Sequence, residues 1–544
     1  MPNRLDRRSF IKKSAAAGGG LVASQALPRA AVAARSQRRP NILVVVVDQL
    51  RTPQWFPDQA TLDGLLPNLA RIRRVATSFE NHYTASNMCV ASRGVLLTGL
   101  YPHQTGVMLT KAVQDSSTLS PRFPTWGTML REQGYDTAWY GKWHLGPKPD
   151  KTEGGLEPYG FSGGTYPSPN GNPGQGSDKD PGIVDQFVGW FDQASSGPWC
   201  TTVSLVNPHD INWFPNFTGV DELAGERLRP SGHDFSGAPV NLETGADLAA
   251  RKPRLQTALR ETTNVACGVM PDDDGVVARA RWASMLTLYL WYQQQVDVQI
   301  GRVLDALESR PEVAANTIVI FTSDHGEYSG SHGLRAKGGG AYDEAIRVPL
   351  YIVDPHGRLS HNRASTRTQL TSSADFAPLL LTLAHGSGGW RADKRYAHLR
   401  SRGDIANVAR HPRAKGRPWV AHVTDETTVE ELSYTHSFAD QAPHHVAAVR
   451  TATAKYAVYS AWKDGTIDVD PTDQDRELYD YRTQAGRLEL DNVAGTSSGL
   501  ASTMSRLLET KVMPELRAPL PSRLKAAQSE GLENFYALSA GPIP

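Results

Sequence analysis

The chain reads as an α/β protein: a mixed, mostly parallel sheet flanked by helices, followed by a smaller C-terminal subdomain with an antiparallel sheet. Three observations lead there. Asn41-Ile-Leu-Val-Val-Val-Val47 is a continuous apolar, β-branched run, the pattern of a strand buried on both faces of a parallel sheet. Further apolar runs at Tyr135–Tyr140, Trp199–Val206 and Thr317–Phe321 alternate with helical stretches, as βαβ units require. From about Arg417 the pattern changes to short alternating runs around Trp419, His445 and Tyr456, which suit antiparallel strands.

The remaining elements follow in order. Residues 1–34 have the layout of a twin-arginine signal peptide: Arg7-Arg8-Ser9-Phe10-Ile11-Lys12-Lys13, a small-residue run from Ser14 to Ala26, then Ala31-Val32-Ala33 as the cleavage site. That run is too short and too mild to span a bilayer, and no later stretch is apolar for long enough. The expectation is export by the twin-arginine translocase to the periplasm or beyond, with no membrane contact in the mature form. That route moves folded proteins, so any modification or metal loading that needs the cytoplasm can be finished first. Thr125–Gln133 reads as a helix stopped by Gly134. Ala278–Ser309 reads as helix throughout, long enough to expect a bend, with Leu286–Leu290 as core packing. Lys148–Pro181, rich in Gly, Pro and Ser, and Asp210–Asp274, of mixed composition, read as long irregular loops. The expected units are residues 35–415 and 416–544.

Composition narrows the function classes. The 544 residues include 57 Lys+Arg against 56 Asp+Glu, so no global basic field draws in nucleic acid. Only Cys89, Cys200 and Cys267 occur, too few for a disulfide scaffold. Whether Cys200 and Cys267 pair is open at this level.

The predicted strands end in chemistry. The first runs into Asp48-Gln49, the next into Gly141-Lys142-Trp143-His144. The third gives Asn207-Pro208-His209 and the fourth Ser323-Asp324-His325-Gly326. Ligands of open α/β sheets bind outside the carboxyl ends of strands, so these groups should meet at one edge. Singly, an Asp at a strand end is a turn or cap residue and a His is a hydrogen-bonded surface group. Together, Asp48, Asp324 and His325 with the Gln49 carbonyl suit a hard divalent cation, Ca2+ first, with Mg2+ or Mn2+ also compatible. A salt-bridge cluster with Arg93 or Lys142 is the other reading. Cys89 opens the string Cys89-Val-Ala-Ser-Arg93-Gly-Val-Leu-Leu-Thr98-Gly99, at the mouth of a loop before a helical stretch. Free N–H groups at a helix start favour an anion there and lower a thiol pKa. A structural cysteine is the plainer reading.

The string C-x-[PA]-[ST]-R…L-T-G resembles the sulfatase signature. The strand followed by Asp48, G-K-W-H-L-G at 141–146, N-P-H at 207–209 and S-D-H-G at 323–326 match the family in order. So do Lys337 with Tyr342-Asp343-Glu344-Ala345-Ile346-Arg347-Val348-Pro349, and Glu477-Leu478-Tyr479-Asp480. The resemblance covers most of the chain and implies an alkaline-phosphatase-like fold. It also implies that a formylglycine-generating enzyme oxidises Cys89 to formylglycine, whose hydrate attacks a sulfate ester. By the same likeness, Asp48, Gln49, Asp324, His325 and the residue-89 hydroxyl would hold the metal. Arg93 and Lys142 would anchor the hydrate, His144 would act as general base, and His209 and Lys337 would bind sulfate and assist the leaving group.

Two positions depart from the usual pattern: Ala91 stands where Pro is commonest, and Gln49 where many members have a second Asp, which lowers the negative charge of the site. Glu344 and Arg347 read as a structural ion pair nearby. The expected activity is an arylsulfatase-type sulfuric ester hydrolase acting on small-molecule or saccharide sulfates. A phosphate or phosphonate ester hydrolase on the same scaffold is the alternative, disfavoured by Lys142 and His144. A non-catalytic binder of sulfated polymers that keeps the thiol is the third. Asn212–Phe217 offers either an aromatic wall for an aryl group or mere packing anchors.

Overall fold

The computed structural model describes residues 39–539 apart from 55–57, 109–117, 147–150, 195–196, 216–231, 234, 236, 360–363, 426–441 and 464. The export segment and the Asn216-Phe217 end of the aromatic stretch lie outside these residues.

Ten strands build the main body: β1 (Asn41–Val47), β2 (Thr77–Phe79), β3 (His82–Tyr83), β4 (Asp136–Gly141), β5 (Ser162–Gly163), β6 (Trp199–Leu205), β7 (Thr317–Ser323), β8 (Leu350–Val353), β9 (Ser365–Arg367) and β10 (Thr371–Ser372). Eight of them form one sheet in the order β5-β4-β6-β1-β7-β8-β2-β9, and β3 pairs with β10. Within the sheet β8 alone runs against its neighbours β7 and β2. β4, β6, β1 and β7 are adjacent and parallel, so their carboxyl ends share one edge.

The alternation of β1 explains why the run has no polar residue after Asn41. Ile42, Val44 and Val46 face a core shared with helix α1 (Cys89–Thr98), the short helix Trp126–Arg131 and the helix Phe376–His385. Leu43, Val45 and Val47 face a second core, formed with α2 (Gln175–Gln193) and the Leu290–Leu307 part of α3 (Val276–Ser309). All six side chains are fully buried, each contributing on the order of 1.5–3 kcal/mol.

Helix α3 is one continuous element of 34 residues. Its first half packs Trp282, Met285, Leu288 and Tyr289 in a separate cluster and its second half packs on the sheet, so tertiary contacts support its length. Two expectations need revision. The stretch to Pro181 is not irregular to its end, because α2 begins at Gln175 and carries Pro181 inside it. Packing of Ile183, Val184, Phe187 and Phe191 under the sheet outweighs the local breaker signal. Asp210–Asp274 contains the helices Gly245–Arg251 and Arg254–Cys267, the former capped by the Thr244 side chain.

The second sheet is a sequential antiparallel meander: β11 (Trp419–Asp425), β12 (His445–Thr451), β13 (Ala454–Trp462) and β14 (Val469–Asp480). Alternate residues bury both of its faces. Val420, Val446 and Tyr459 pack with Tyr83 and Tyr342, whereas Val423, Val449 and Leu478 pack with Val95 and Tyr101. All three cysteines are buried and none forms a disulfide.

Candidate metal centre and active site

Helix α1 starts at Cys89 without a side-chain cap and stops at Gly99. Gly99 has φ 70, and a Cβ there would come within 2.7 Å of Leu399, so the closing Thr-Gly of the string is a helix stop that favours glycine. The start of α1 points to the carboxyl edge of the sheet. There the ligand atoms of Asp48, Cys89, Asp324 and His325 lie within 4.8 Å of one another.

Arg93, one turn into α1, organises the two carboxylates. Its guanidinium donates to Asp324 Oδ2 (2.8 Å), Asp48 Oδ2 (2.8 Å), Ser204 Oγ (3.0 Å) and the Lys142 carbonyl (2.7 Å). Lys142 Nζ sits 2.8 Å from the same Asp48 oxygen. Burial alone would raise the Asp48 pKa, but Lys142 and Arg93 hold it well below the usual carboxylate range. The two readings of the sequence therefore coexist: the cations occupy one oxygen of each carboxylate. Among the described residues, Asp48 Oδ1 is buried with no hydrogen-bond partner, and Asp324 Oδ1 accepts from the main-chain N–H groups of Gln49 (3.2 Å) and His325 (2.9 Å).

His325 Nδ1 lies 2.9 Å from the Gly326 carbonyl, to which it donates, leaving Nε2 turned inward, 3.0 Å from Cys89 Sγ. An orphaned carboxylate oxygen, a second carboxylate and an oriented imidazole fit a hard divalent cation. Gln49 has φ 66. Its main-chain carbonyl accepts from Tyr289 OH (2.7 Å), and its side-chain Oε1 accepts from Lys337 Nζ (2.6 Å).

Lys337 Nζ also lies 2.9 Å from His209 Nε2 and 3.4 Å from Asn212 Oδ1. Burial and Lys337 keep His209 neutral, its pKa far below the ordinary imidazole value. Lys337 is donor-only, so Nε2 accepts and the His209 proton rides on Nδ1, which has no partner among the described residues. Half-buried His144, with φ 58, is likewise kept neutral by desolvation and by Lys142 and Arg93. Burial pushes the Cys89 thiol up most strongly, but Lys337, His325 and Lys142 together outweigh it, and the net shift is downward.

Glu344 and Arg347 do not pair. Glu344 lies between His332 (3.6 Å) and Asn241 (2.8 Å), whereas Arg347 reaches Asp343 (3.5 Å), its i−4 neighbour. Tyr289 and Glu327 are site neighbours that the sequence reading missed. Glu327 directly follows the Asp-His-Gly string, a signal that was available, while nothing in the middle of a long helix marks Tyr289.

Sheet and helices together give an alkaline-phosphatase-like fold, with a candidate cation pocket at the carboxyl edge of its strands. The sulfatase family profile matches residues 40–387, and the chain belongs to that family. It is 29% identical over 378 residues to uncharacterized sulfatase YidJ of Escherichia coli K12, covering 64% of this chain and 68% of that one. It is 28% identical over 382 residues to the choline-sulfatase of Rhizobium meliloti, with the same coverages. Among solved structures, the phosphonate monoester hydrolase of Silicibacter pomeroyi shares the fold with TM-score 0.61 and 20% identity, covering 89% of this chain and 97% of that one. The protein is thus a sulfatase by family and a hydrolase by class.

Proposed function

We propose that the protein hydrolyses sulfate monoesters through a formylglycine formed from Cys89 and a bound divalent cation, with Ca2+ the first choice. The observation that carries this reading is the meeting of residue 89 with Asp48, Asp324 and His325 inside 4.8 Å, beside the Lys337–His209 pair. Asp48, Gln49, Asp324 and His325 would hold the cation, which would polarise the sulfate and the attacking hydroxyl. Formylglycine supplies a geminal diol, one hydroxyl to attack sulfur and the other to expel sulfate without water attacking sulfur.

The other roles belong to the chain's own groups. Arg93 and Lys142 fix the carboxylates and hold positive charge beside position 89. Neutral His144 serves as the base for a hydroxyl proton there. Lys337 and the Nδ1–H of His209 offer donors to the sulfate oxygens and the departing alcohol oxygen, where negative charge develops in the transition state.

The substrate class on this reading is a small-molecule or saccharide sulfate ester, consistent with relatives such as the choline-sulfatase. Maturation would involve a formylglycine-generating enzyme and the twin-arginine translocase, with the mature protein periplasmic or secreted. No helix among the described residues is long and apolar enough to cross a membrane. Residues 35–415 would form the catalytic unit and 416–544 its C-terminal subdomain.

Mass spectrometry of the peptide containing residue 89, with kinetics on 4-nitrophenyl sulfate and a phenyl phosphonate, tests the reading. The expected result is an aldehyde at position 89, faster turnover of the sulfate, loss of activity on chelation with recovery on adding Ca2+, and no turnover by Cys89→Ala. Preference for the phosphonate would favour the second reaction class. An intact thiol in active-form preparations, with ligand binding untouched by Cys89→Ala, would favour a binder.

A further inference from the structure

Glu327 is a fully buried carboxylate beside the pocket, and none of the roles above uses it. Its Oε1 accepts from the main-chain N–H groups of Ser329 and Ala336, both at 2.8 Å. Its Oε2 accepts from Gln49 Nε2. The nearby Arg51 guanidinium binds the main-chain carbonyls of Glu327 (3.2 Å) and Tyr328 (2.9 Å).

A glutamine amide is nearly symmetric in shape and can present either its oxygen or its nitrogen to a given neighbour. Here both neighbours select one orientation. An ionised carboxylate only accepts, so Glu327 takes the Gln49 nitrogen, and an ammonium only donates, so Lys337 takes the oxygen, at 2.6 Å. The Gln49 backbone is pinned on both sides as well, its N–H to Asp324 and its carbonyl to Tyr289.

We propose that Glu327 is a positioning residue: it holds the Gln49 amide with its oxygen facing Lys337 and the Asp48–Asp324–His325 pocket. An uncharged side chain thereby behaves as a one-sided acceptor, and the negative charge stands one layer behind it. The inference rests on the proposed function for its link to catalysis, but not for its geometry.

Glu327→Gln tests it, because the variant keeps an oxygen for Ser329 and Ala336 and changes only the atom that meets Gln49. Two N–H groups would then face each other, and Gln49 would turn its nitrogen toward Lys337 and the cation pocket. The expected result, in the full-length mature protein, is an order of tenfold to a hundredfold weaker Ca2+ binding by calorimetry. A comparable loss of kcat/KM on 4-nitrophenyl sulfate and little change in Tm should accompany it. The double variant E327Q/Q49E should recover most of both losses. It exchanges amide and carboxylate between the two positions, so the carboxylate now at position 49 accepts both from the amide at position 327 and from Lys337.

Wild-type Ca2+ binding and turnover in E327Q, or a double variant no better than E327Q, would overturn the proposal. Should E327Q fail to fold, recovery of folding and Ca2+ binding in the double variant supports the pairing, and a double variant that stays unfolded overturns it. Calcium binding is read without substrate, so loss and rescue there stand even if the wild type proves inactive on sulfate esters. An active wild type with a normal E327Q removes only the role of Glu327.

Discussion

Gly171 shows how closely single residues are constrained around the pocket. It has φ 100, a left-handed conformation that side chains rarely adopt, and a Cβ there would sit 2.5 Å from His209 Cε1. Its N–H is tied to Gln175 Oε1 (2.9 Å), and its carbonyl accepts from Trp213 Nε1 (3.1 Å), so the loop cannot withdraw without breaking contacts. Gly171→Ala should therefore displace the His209 ring from Lys337. A displacement of about 1 Å would lower kcat/KM by up to roughly 10²-fold. Steady-state kinetics beside a thermal melt separates this from unfolding, because the loss in rate should far exceed the loss in Tm.

At the level of elements, the short β3–β10 pair depends on a neutral histidine. His82 on β3 lies 3.0 Å from Thr371 Oγ1 on β10, and burial pushes its pKa down to about 4 from an ordinary 6.5. The unfolded chain therefore binds the His82 proton more readily. The stability it contributes is complete above pH 6.5 and is lost as the pH falls toward 4, amounting to about 3 kcal/mol at most. Urea unfolding at pH 7.5 and pH 4.5 should show a smaller drop for His82→Gln than for the wild type. The strands were the most legible elements. An unbroken β-branched run has few alternatives, and parallel strands must send their ends to one edge, which brought Asp48, Lys142, His209 and Asp324 together on paper. Helix α2 was not legible where it carries Pro181, because its burial surface lies on a sheet assembled from remote segments. The contact of Tyr289 with Gln49 spans 240 residues of sequence and depends on the lateral placement of α3, which no local pattern encodes. The role inferred for Glu327 requires knowing which end of an amide faces it.

For the whole molecule, buried charge ties the C-terminal sheet to the main body. Lys455 on β13 is 1% exposed; it pairs with Glu489 and lies 3.4 Å from Asp343, which in turn donates its main-chain N–H to Glu489 Oε2 (2.8 Å). Lys455→Met would leave Glu489 buried without its Lys455 partner, whereas Asp343 keeps Arg347, and removing one partner of such a buried pair costs about 3–5 kcal/mol. Urea unfolding followed by Trp fluorescence should show that loss, with kcat on 4-nitrophenyl sulfate nearly unchanged in the protein that remains folded. The way Arg93 and Lys142 compensate Asp48 and Asp324 has a consequence for the order of assembly. Because built-in cations already quench most of the mutual repulsion between these acids, the cavity can take its final shape before any inorganic partner arrives. On the proposed function, uptake of a cation is then separable in time from chain collapse.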